Sequence, residues 1–228
     1  GLLLLGYLKR NNSFYIIWYS TLVVIYFLML FGDISLSKNT IYKTSNAYHT
    51  IEIYNTEEDQ RIFSMDWAYS SWIDIETWES FFNYIQEIKK QIIASGDENI
   101  LIIWAAWFTL PNELSQIETI KNIDVIDIDK NLKEISETYF LQIKLSDKIN
   151  FYPESARFYL NKIDWKKYDA VVVDAYSWQS HPSQLLTLEY FQKLSKISEN
   201  IYLNFITDVN FESNFSKKIL ETVAQWFC

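Results

Sequence analysis

The chain has 228 residues, of which 49% are hydrophobic and 18% aromatic, which argues against intrinsic disorder and allows one domain with a sizeable core plus an appendage. Acidic residues outnumber basic ones by 29 to 20, and the resulting net charge of -9 argues against a nucleic-acid-binding surface, which would need clustered lysine and arginine. The single cysteine, Cys228, excludes an internal disulfide.

An uncharged, apolar stretch covers residues 13–32. It is long enough to cross a bilayer as a helix and has aromatic ends, so we predict a transmembrane helix within a membrane anchor of residues 1–34. A cleaved signal peptide and a buried helix of a soluble domain are the alternatives. A membrane anchor implies membrane lipid as a partner. Because residues 1–7 are also apolar, we expect further membrane segments upstream.

Two short strands are predicted next. Residues 33–46 are polar and are predicted to form a loop. Residues 48–54 and 61–66 alternate between apolar and polar side chains around a charged turn at 55–60, which is typical of a β-hairpin. We therefore predict an N-terminal β-hairpin region over residues 35–73.

A helix is predicted over residues 74–94, because apolar side chains recur there at helical spacing. These side chains are Trp78, Phe81, Phe82, Ile85, Ile88 and Ile92. Gly96 follows at the position where a helix commonly ends with glycine.

The rest of the chain alternates between strand and helix patterns. The predicted strands cover residues 100–103, 123–128, 149–152, 168–174 and 200–206. The predicted helices cover residues 111–121, 131–140, 155–161, 187–198 and 216–227. Such alternation predicts an α/β domain, with a doubly wound, Rossmann-like parallel sheet, over residues 74–228.

Acidic side chains end two of these predicted strands. Asp127 and Asp129 end the second strand, and Asp174 ends the fourth. Ligands of open parallel sheets bind beyond the carboxyl ends of the strands, where acids can hold a ribose or deprotonate an amine. Aspartate also caps helices well, so capping of the following helices is an equally good interpretation. Both interpretations stay open at this point.

The turn after the first predicted strand contains no glycine. A nucleoside-binding turn needs glycine for φ > 0 and for close approach of the backbone, whereas residues 104–108 read Trp-Ala-Ala-Trp-Phe. No strand-end loop contains any of the four glycines, which are Gly1, Gly6, Gly32 and Gly96. We expect Trp104, Trp107 and Trp178 to pack into a vacated pocket, with stacking on a purine as the alternative.

A metal site is not predicted. The two histidines, His49 and His181, lie far apart and lack cysteine or acidic partners at ligand spacing.

Several segments in succession resemble the spermidine synthase-like proteins (polyamine aminopropyltransferases), which have a class I S-adenosylmethionine-dependent methyltransferase-like fold. The resemblance covers about residues 45–227 and is strongest to bacterial members whose synthase domain follows membrane helices. The segments that carry it are YHTIEIYN, RIFSMD, ILIIWAAWFTLP, IDVIDID, SARFYL and YDAVVVDAYSWQSHPSQLLTLEYF.

The resemblance implies a nucleoside-binding side of the site. The family's ribose-binding acid corresponds to Asp127, with Asp129 beside it. The position that contacts adenine corresponds to Ser155, where the family has aspartate. Thr109 is kept directly after the family's glycine-rich turn.

The resemblance also implies a substrate pocket. The aspartate that accepts a proton from the attacking amine corresponds to Asp174. The family's Tyr-Gln pair corresponds to Tyr48 and His49, and a second substrate-side aspartate corresponds to Ser177. Tyr176 beside it is interpreted either as a core residue or as a wall of the substrate pocket. The implied reaction transfers an aminopropyl group from decarboxylated S-adenosylmethionine to putrescine or a related amine, without a metal. Relatives pair through the hairpin region, so a homodimer is expected.

The glycine-free loop at residues 104–108, together with serine at positions 155 and 177 where the family has aspartate, favours a degenerate relative. Such a pseudoenzyme would be membrane-anchored and have weak or no catalytic activity. The alternatives are an active aminopropyltransferase and, less well supported, a methyltransferase of the same fold. The family domain is also predicted to be truncated at its C-terminus.

The side of the membrane is left open by conflicting signals. Lys9 and Arg10 before the predicted span favour a domain outside the cytoplasm under the positive-inside rule, although Lys38 and Lys43 follow it. Use of a cellular nucleoside favours the cytoplasmic face of a bacterial inner membrane.

Overall fold

The computed structural model describes residues 39–45, 50–163, 167–174, 187–204 and 212–227. The predicted membrane anchor lies outside these ranges and stays a prediction. Within them, no helix combines the length and the apolar character that crossing a bilayer requires.

The N-terminal part is an antiparallel sheet of four strands in sequential order. The strands are β1 (Asn39–Ser45), β2 (Thr50–Asn55), β3 (Gln60–Met65) and β4 (Ala68–Asp74). The predicted hairpin corresponds to β2 and β3, in which Ile53 pairs with Phe63. The predicted loop at 33–46 is wrong where it covers β1. β1 pairs along β2, and its polar side chains face solvent. A polar sequence can form this strand because an edge strand pairs with one neighbour only and need not be apolar.

The helix predicted to begin at residue 74 begins later, as α1 (Asn83–Ser95). Its apolar positions Ile85, Ile88 and Ile92 are buried as predicted. The start is displaced because the Asp74 carboxylate accepts the backbone N–H groups of Glu76 and Thr77, at 2.9 and 2.8 Å, which fixes a turn there. Gly96 ends the helix with φ 71°, which confirms the predicted C-terminal glycine.

Five parallel strands form the second sheet, in the order β7-β6-β5-β8-β9. They are β5 (Asn99–Ile103), β6 (Asn122–Asp127), β7 (Ile149–Pro153), β8 (Ala170–Val173) and β9 (Asn200–Leu203). The chain runs from β5 outward to β7, returns to the other side of β5 for β8, and continues to β9. This order is that of a doubly wound sheet, as predicted.

The connecting helices follow the predicted alternation. They are α2 (Thr109–Ser115), α3 (Leu132–Ile135), α4 (Ala156–Lys162), α5 (Leu188–Ile197) and α6 (Asn214–Phe227). A π-helical turn, Ser136–Phe140, continues α3. Helix α2 ends earlier than predicted, because the Ser115 hydroxyl donates to the Asn112 carbonyl at 2.8 Å and competes with further helical bonds.

The core consists of two apolar clusters, one on each face of the parallel sheet. Ile100 and Ile102 face the cluster that includes β2, β3, α1 and α2, while Leu101 and Ile103 face the cluster that includes α4 and α5. This division follows from the alternation of side chains along a strand. The N-terminal sheet therefore shares its core with one face of the parallel sheet.

Candidate active site at the carboxyl edge of the sheet

Strands β5, β6, β8 and β9 all end at the same edge of the sheet. Backbone bonds extend the ladder one residue past their ends: the N–H of Trp104 donates to Ile126, that of Asp174 to Ile103, and that of Asn204 to Val173, at 2.8 to 3.0 Å. The residues that follow these strands are thereby held in fixed positions at the edge where open parallel sheets bind ligands.

Asp174 directly follows β8 at this edge. It is 8% exposed, its Oδ2 accepts the Tyr84 hydroxyl at 3.0 Å, and its Oδ1 accepts the Asn204 amide at 2.6 Å. Burial raises the pKa of the Asp174 carboxyl to about 6, although the hydrogen bonds from Asn204 and Tyr84 act in the opposite direction. Asp174 therefore changes protonation state close to neutral pH, as a proton acceptor for an amine should.

Two residues of this group, Tyr84 and Asn204, were missed by sequence reasoning. Asn204 follows β9 in the same way that Asp174 follows β8, so the strand-end rule applied to neutral amides would have found it. Tyr84 gave no such signal, because it lies in α1 and its contact depends on how that helix packs. Burial and the nearby Asp174 charge raise the pKa of Tyr84 well above its ordinary value, so its hydroxyl stays protonated and donates.

Asp127 is the last residue of β6 and is 4% exposed. Its Oδ2 accepts the backbone N–H of Ala105 at 3.2 Å, and its Oδ1 accepts that of Asp129 at 3.0 Å. The carboxylate thus holds the loop after β5 against the end of β6. Asp127, the predicted ribose-binding acid, thus lies at the end of β6, and both of its oxygens accept bonds from the protein.

Asp129 is buried, and its Oδ1 accepts the backbone N–H of Asn131 at 3.0 Å, in the turn before α3. Asp127 and Asp129 thus bond to backbone N–H groups of turns, whereas the bonds described for Asp174 come from side chains. Neither acid is the N-cap of α3, which is Asn131, so the first two acids stabilise the turn before the helix and do not cap it. The geometry of Asp174 fits the interpretation as a site residue.

The loop after β5 keeps the backbone conformation of glycine without containing glycine. Trp104, Trp107 and Phe108 have φ values of 75°, 58° and 63°, all in the left-handed region. Side chains with a Cβ seldom adopt this conformation, which costs on the order of 1–3 kcal/mol for each such residue. Surrounding contacts must hold the loop in place.

Those contacts are aromatic. Trp107 is 5% exposed and lies parallel to Phe63 of β3, with ring centroids 3.6 Å apart and planes 18° apart. Phe108 is buried edge-on against Phe151 of β7 at 5.3 Å, and Trp104 is half-buried against the cluster on the opposite face. Trp107 and Phe108 are therefore core residues. Of the predicted tryptophans, Trp107 packs into the core, whereas Trp104 is half-buried. Trp178 lies outside the described residues.

The other predicted nucleoside contacts also have partners within the protein. Thr109 is buried, with its hydroxyl 2.7 Å from that of Ser71 in β4. Ser155 is the N-cap of α4, and its hydroxyl accepts the backbone N–H of Phe158 at 3.4 Å. The predicted pocket residues Tyr48, His49, Tyr176 and Ser177 lie outside the described ranges. Within the described ranges, no cluster of three or more histidine, cysteine or acidic residues is suited to hold a metal ion.

The strand order defines the class, a doubly wound, Rossmann-like α/β protein, and it is consistent with an S-adenosylmethionine-dependent methyltransferase-like fold. The spermidine synthase of Thermotoga maritima has the same fold, with a TM-score of 0.66 and 13% identity over 82% of this chain and 64% of that chain. A spermidine synthase in complex with the transition state analogue AdoDATO aligns with a TM-score of 0.64 and 14% identity, over 82% and 63% of the two chains.

Curated relatives are polyamine aminopropyltransferases. That of Alkaliphilus oremlandii is 26% identical over 158 residues, which are 67% of this chain and 54% of the relative. That of Vibrio vulnificus is 28% identical over 102 residues, covering 44% and 34% of the two chains. No family model matches the chain. The chain is similar to the spermidine synthase-like proteins, as the resemblance predicted, and it spans about half the length of the curated relatives it matches.

Proposed function

We propose that the protein is an aminopropyltransferase-like enzyme that binds an amine at Asp174 and accepts a proton from it. The observation that carries this proposal is the buried Asp174 carboxylate, held by two neutral donors and with a pKa of about 6. No lysine or arginine of the described residues forms an ion pair with it, and an ammonium substrate would supply that missing charge.

The proposed reaction is a single displacement. The amine nitrogen attacks the propyl carbon that is bonded to the sulfonium of decarboxylated S-adenosylmethionine or a related adenosyl compound. A nitrogen–carbon bond forms, the carbon–sulfur bond breaks with its electron pair leaving on sulfur, and Asp174 accepts the proton that the amine loses. No metal takes part in these steps.

The donor's ribose is proposed to lie at Asp127. Both oxygens of this carboxylate already accept backbone N–H bonds, so ribose hydroxyls would have to share them. This arrangement lets the same acid hold the loop and contact the sugar.

The test is product formation from decarboxylated S-adenosylmethionine and putrescine, followed by mass spectrometry. The wild type should give an amine heavier by one aminopropyl group, and Asp174→Asn should lose at least 100-fold in rate. Asp97→Asn is a matched control, because Asp97 is also buried and also accepts an asparagine amide, but at the opposite edge of the sheet. Absence of product from the wild type, or equal rates in Asp174→Asn, contradicts the proposal.

A second candidate is a non-catalytic relative that binds the amine without the donor. The buried Trp107, the glycine-free loop and the bonds that already engage Asp127 favour it. Calorimetry with putrescine and with methylthioadenosine, each alone, separates the two candidates. Heat from both ligands supports the enzyme, whereas heat from the amine alone supports the non-catalytic relative.

We also propose that residues 13–32 anchor the protein in a bacterial inner membrane with its large domain in the cytoplasm. The support is the uncharged, apolar sequence of this segment, together with the cellular origin of the nucleoside. Because the family resemblance implies it, we propose that two copies of the chain form a homodimer through the hairpin region. Membrane fractionation and protease digestion of inverted vesicles test the location, and sedimentation in detergent tests the dimer.

A further inference from the structure

Asn204 lies at the carboxyl edge beside Asp174, although no sequence motif marks it. It directly follows β9, and its backbone N–H donates to the Val173 carbonyl at 2.9 Å. Its side-chain amide donates to Asp174 Oδ1 at 2.6 Å. Since its own backbone continues the sheet, the amide is presented from a rigid element and not from a free loop.

The two oxygens of Asp174 have different donors. Asn204, directly after β9, donates to Oδ1, and Tyr84 of α1 donates to Oδ2. Both donors are neutral, and among the described residues these two side chains are the polar groups that contact the carboxylate. An uncharged donor stabilises the ionised carboxylate without competing with a cationic ligand for the negative charge.

We propose that Asn204 is a positioning residue for the proposed transfer: it fixes Asp174 Oδ1 and stabilises the ionised carboxylate, so that Asp174 can accept a proton from the amine. This inference rests on the proposed function. Asn204 acts through Asp174 and is not assigned a contact with the reacting atoms.

The contacts of Asp174 determine in which direction its pKa changes when the Asn204 amide is removed. Tyr84 is the titratable group that contacts Asp174 from α1, and it stays protonated because burial and the Asp174 charge raise its pKa. Burial raises the pKa of Asp174, and the Asn204 bond lowers it. Removing this donor should therefore raise the pKa of Asp174 above about 6.

The test uses Asn204→Leu, which is similar in size and has no donor. Titration of the Asp174 carboxyl by carbon-13 NMR, assigned with Asp174→Asn, should show an upward shift of its midpoint. Amine transfer should fall several-fold at pH 6 and approach the wild-type rate at pH 9. Asn204→Gln, which keeps the amide, should restore part of the wild-type profile.

The same strand offers a matched control. Asn200 begins β9 and donates its amide to the buried Asp97 at 2.8 Å, an equivalent bond at the opposite edge. Asn200→Leu should cost similar stability while leaving the Asp174 midpoint and the pH profile of transfer unchanged.

A second variant protects the test against misfolding. Asn204→Asp is nearly isosteric and places a second carboxylate beside Asp174, so it should raise the midpoint further, because two adjacent carboxylates resist joint ionisation. An unchanged or lowered midpoint in Asn204→Leu or Asn204→Asp, or equal shifts in Asn200→Leu, overturns the inference. If the wild type transfers no aminopropyl group, the proposed function fails. The titration still decides whether Asn204 lowers the pKa of Asp174.

Discussion

Trp107 lies flat against Phe63, so the loop after β5 is joined to the N-terminal sheet by a stack of two rings. The centroids are 3.6 Å apart, and Phe63 in turn meets Phe140 edge-on at 5.4 Å. The Trp107 carbonyl also accepts the Ser136 hydroxyl at 3.0 Å. These contacts hold an aromatic residue in a backbone conformation that glycine adopts without cost.

Trp107 should therefore reverse the usual order of alanine and glycine. Trp107→Ala and Trp107→Gly each remove the stacked ring and should cost about 3–5 kcal/mol of unfolding free energy. Because the φ of 58° strains alanine but not glycine, Trp107→Gly should be the more stable of the two by about 1 kcal/mol. Urea denaturation measures both.

Trp72 of β4 is the control for that comparison, because its φ is not positive. There glycine should be the less stable replacement by about 0.5–1 kcal/mol. If the alanine variant is more stable than the glycine variant at both positions, backbone strain at Trp107 is not significant.

Asp174 should make the folded protein less stable as the pH rises from about 4 to about 6. Its folded pKa of about 6 lies above the ordinary value of 3.8, so in this window the folded state holds more protons than the unfolded state. The full effect is on the order of 3 kcal/mol at neutral pH. Asp174→Asn should thus melt at a higher temperature than the wild type at pH 7, with the difference vanishing near pH 4. A pH-independent difference in melting temperature would contradict this assignment.

Glu113 should be a strong structural contact between α1 and α2. This buried carboxylate accepts the Lys89 ammonium at 2.7 Å, the Ser80 backbone N–H at 2.9 Å and the Gln86 amide. Glu113→Ala leaves these donors without their acceptor and should cost about 3–5 kcal/mol, measured by chemical denaturation.

The pair of Lys90 and Glu87 provides the comparison for Glu113. Its atoms are 3.8 Å apart and both side chains are exposed, so Glu87→Ala should change stability little. Equal losses in the two variants would mean that the burial of Glu113 is unimportant.

Tyr190→Phe should stabilise the protein. The Tyr190 hydroxyl is buried on α5 and has no hydrogen-bond partner among the residues that the structure describes, and burial raises its pKa. Removing an unsatisfied buried hydroxyl should recover about 1–3 kcal/mol, seen as a higher melting temperature.

Tyr159→Phe is the matched control on the same face of the sheet. The Tyr159 hydroxyl bonds Asp124 at 3.1 Å and Tyr168 at 2.7 Å, so its removal should lower the melting temperature. A lower melting temperature in Tyr190→Phe as well would show that its hydroxyl has a partner in solution.

The order of elements could be predicted from the sequence because each buried strand carries a run of apolar residues and each helix carries an apolar stripe. Strands β5, β6 and β8 are buried on both faces, which produces uninterrupted apolar runs at Ile100 and Ala170, while the buried Asp124 interrupts the run of β6. Strand β1 was missed because an exposed edge strand need not be apolar, and the start of α1 was misplaced because a side-chain turn at Asp74 precedes it.

The sequence by itself determined that acids stand at the ends of β6 and β8, that glycine is missing from the loop after β5, and which family the chain resembles. These properties are local, because residue type and spacing along the chain specify them. Only the tertiary structure decided that Asp127 holds the loop, that Trp107 packs on Phe63, and that Tyr84 and Asn204 share Asp174. Those contacts join residues 22 to 90 positions apart, and their geometry depends on how whole elements pack, which residue spacing does not encode.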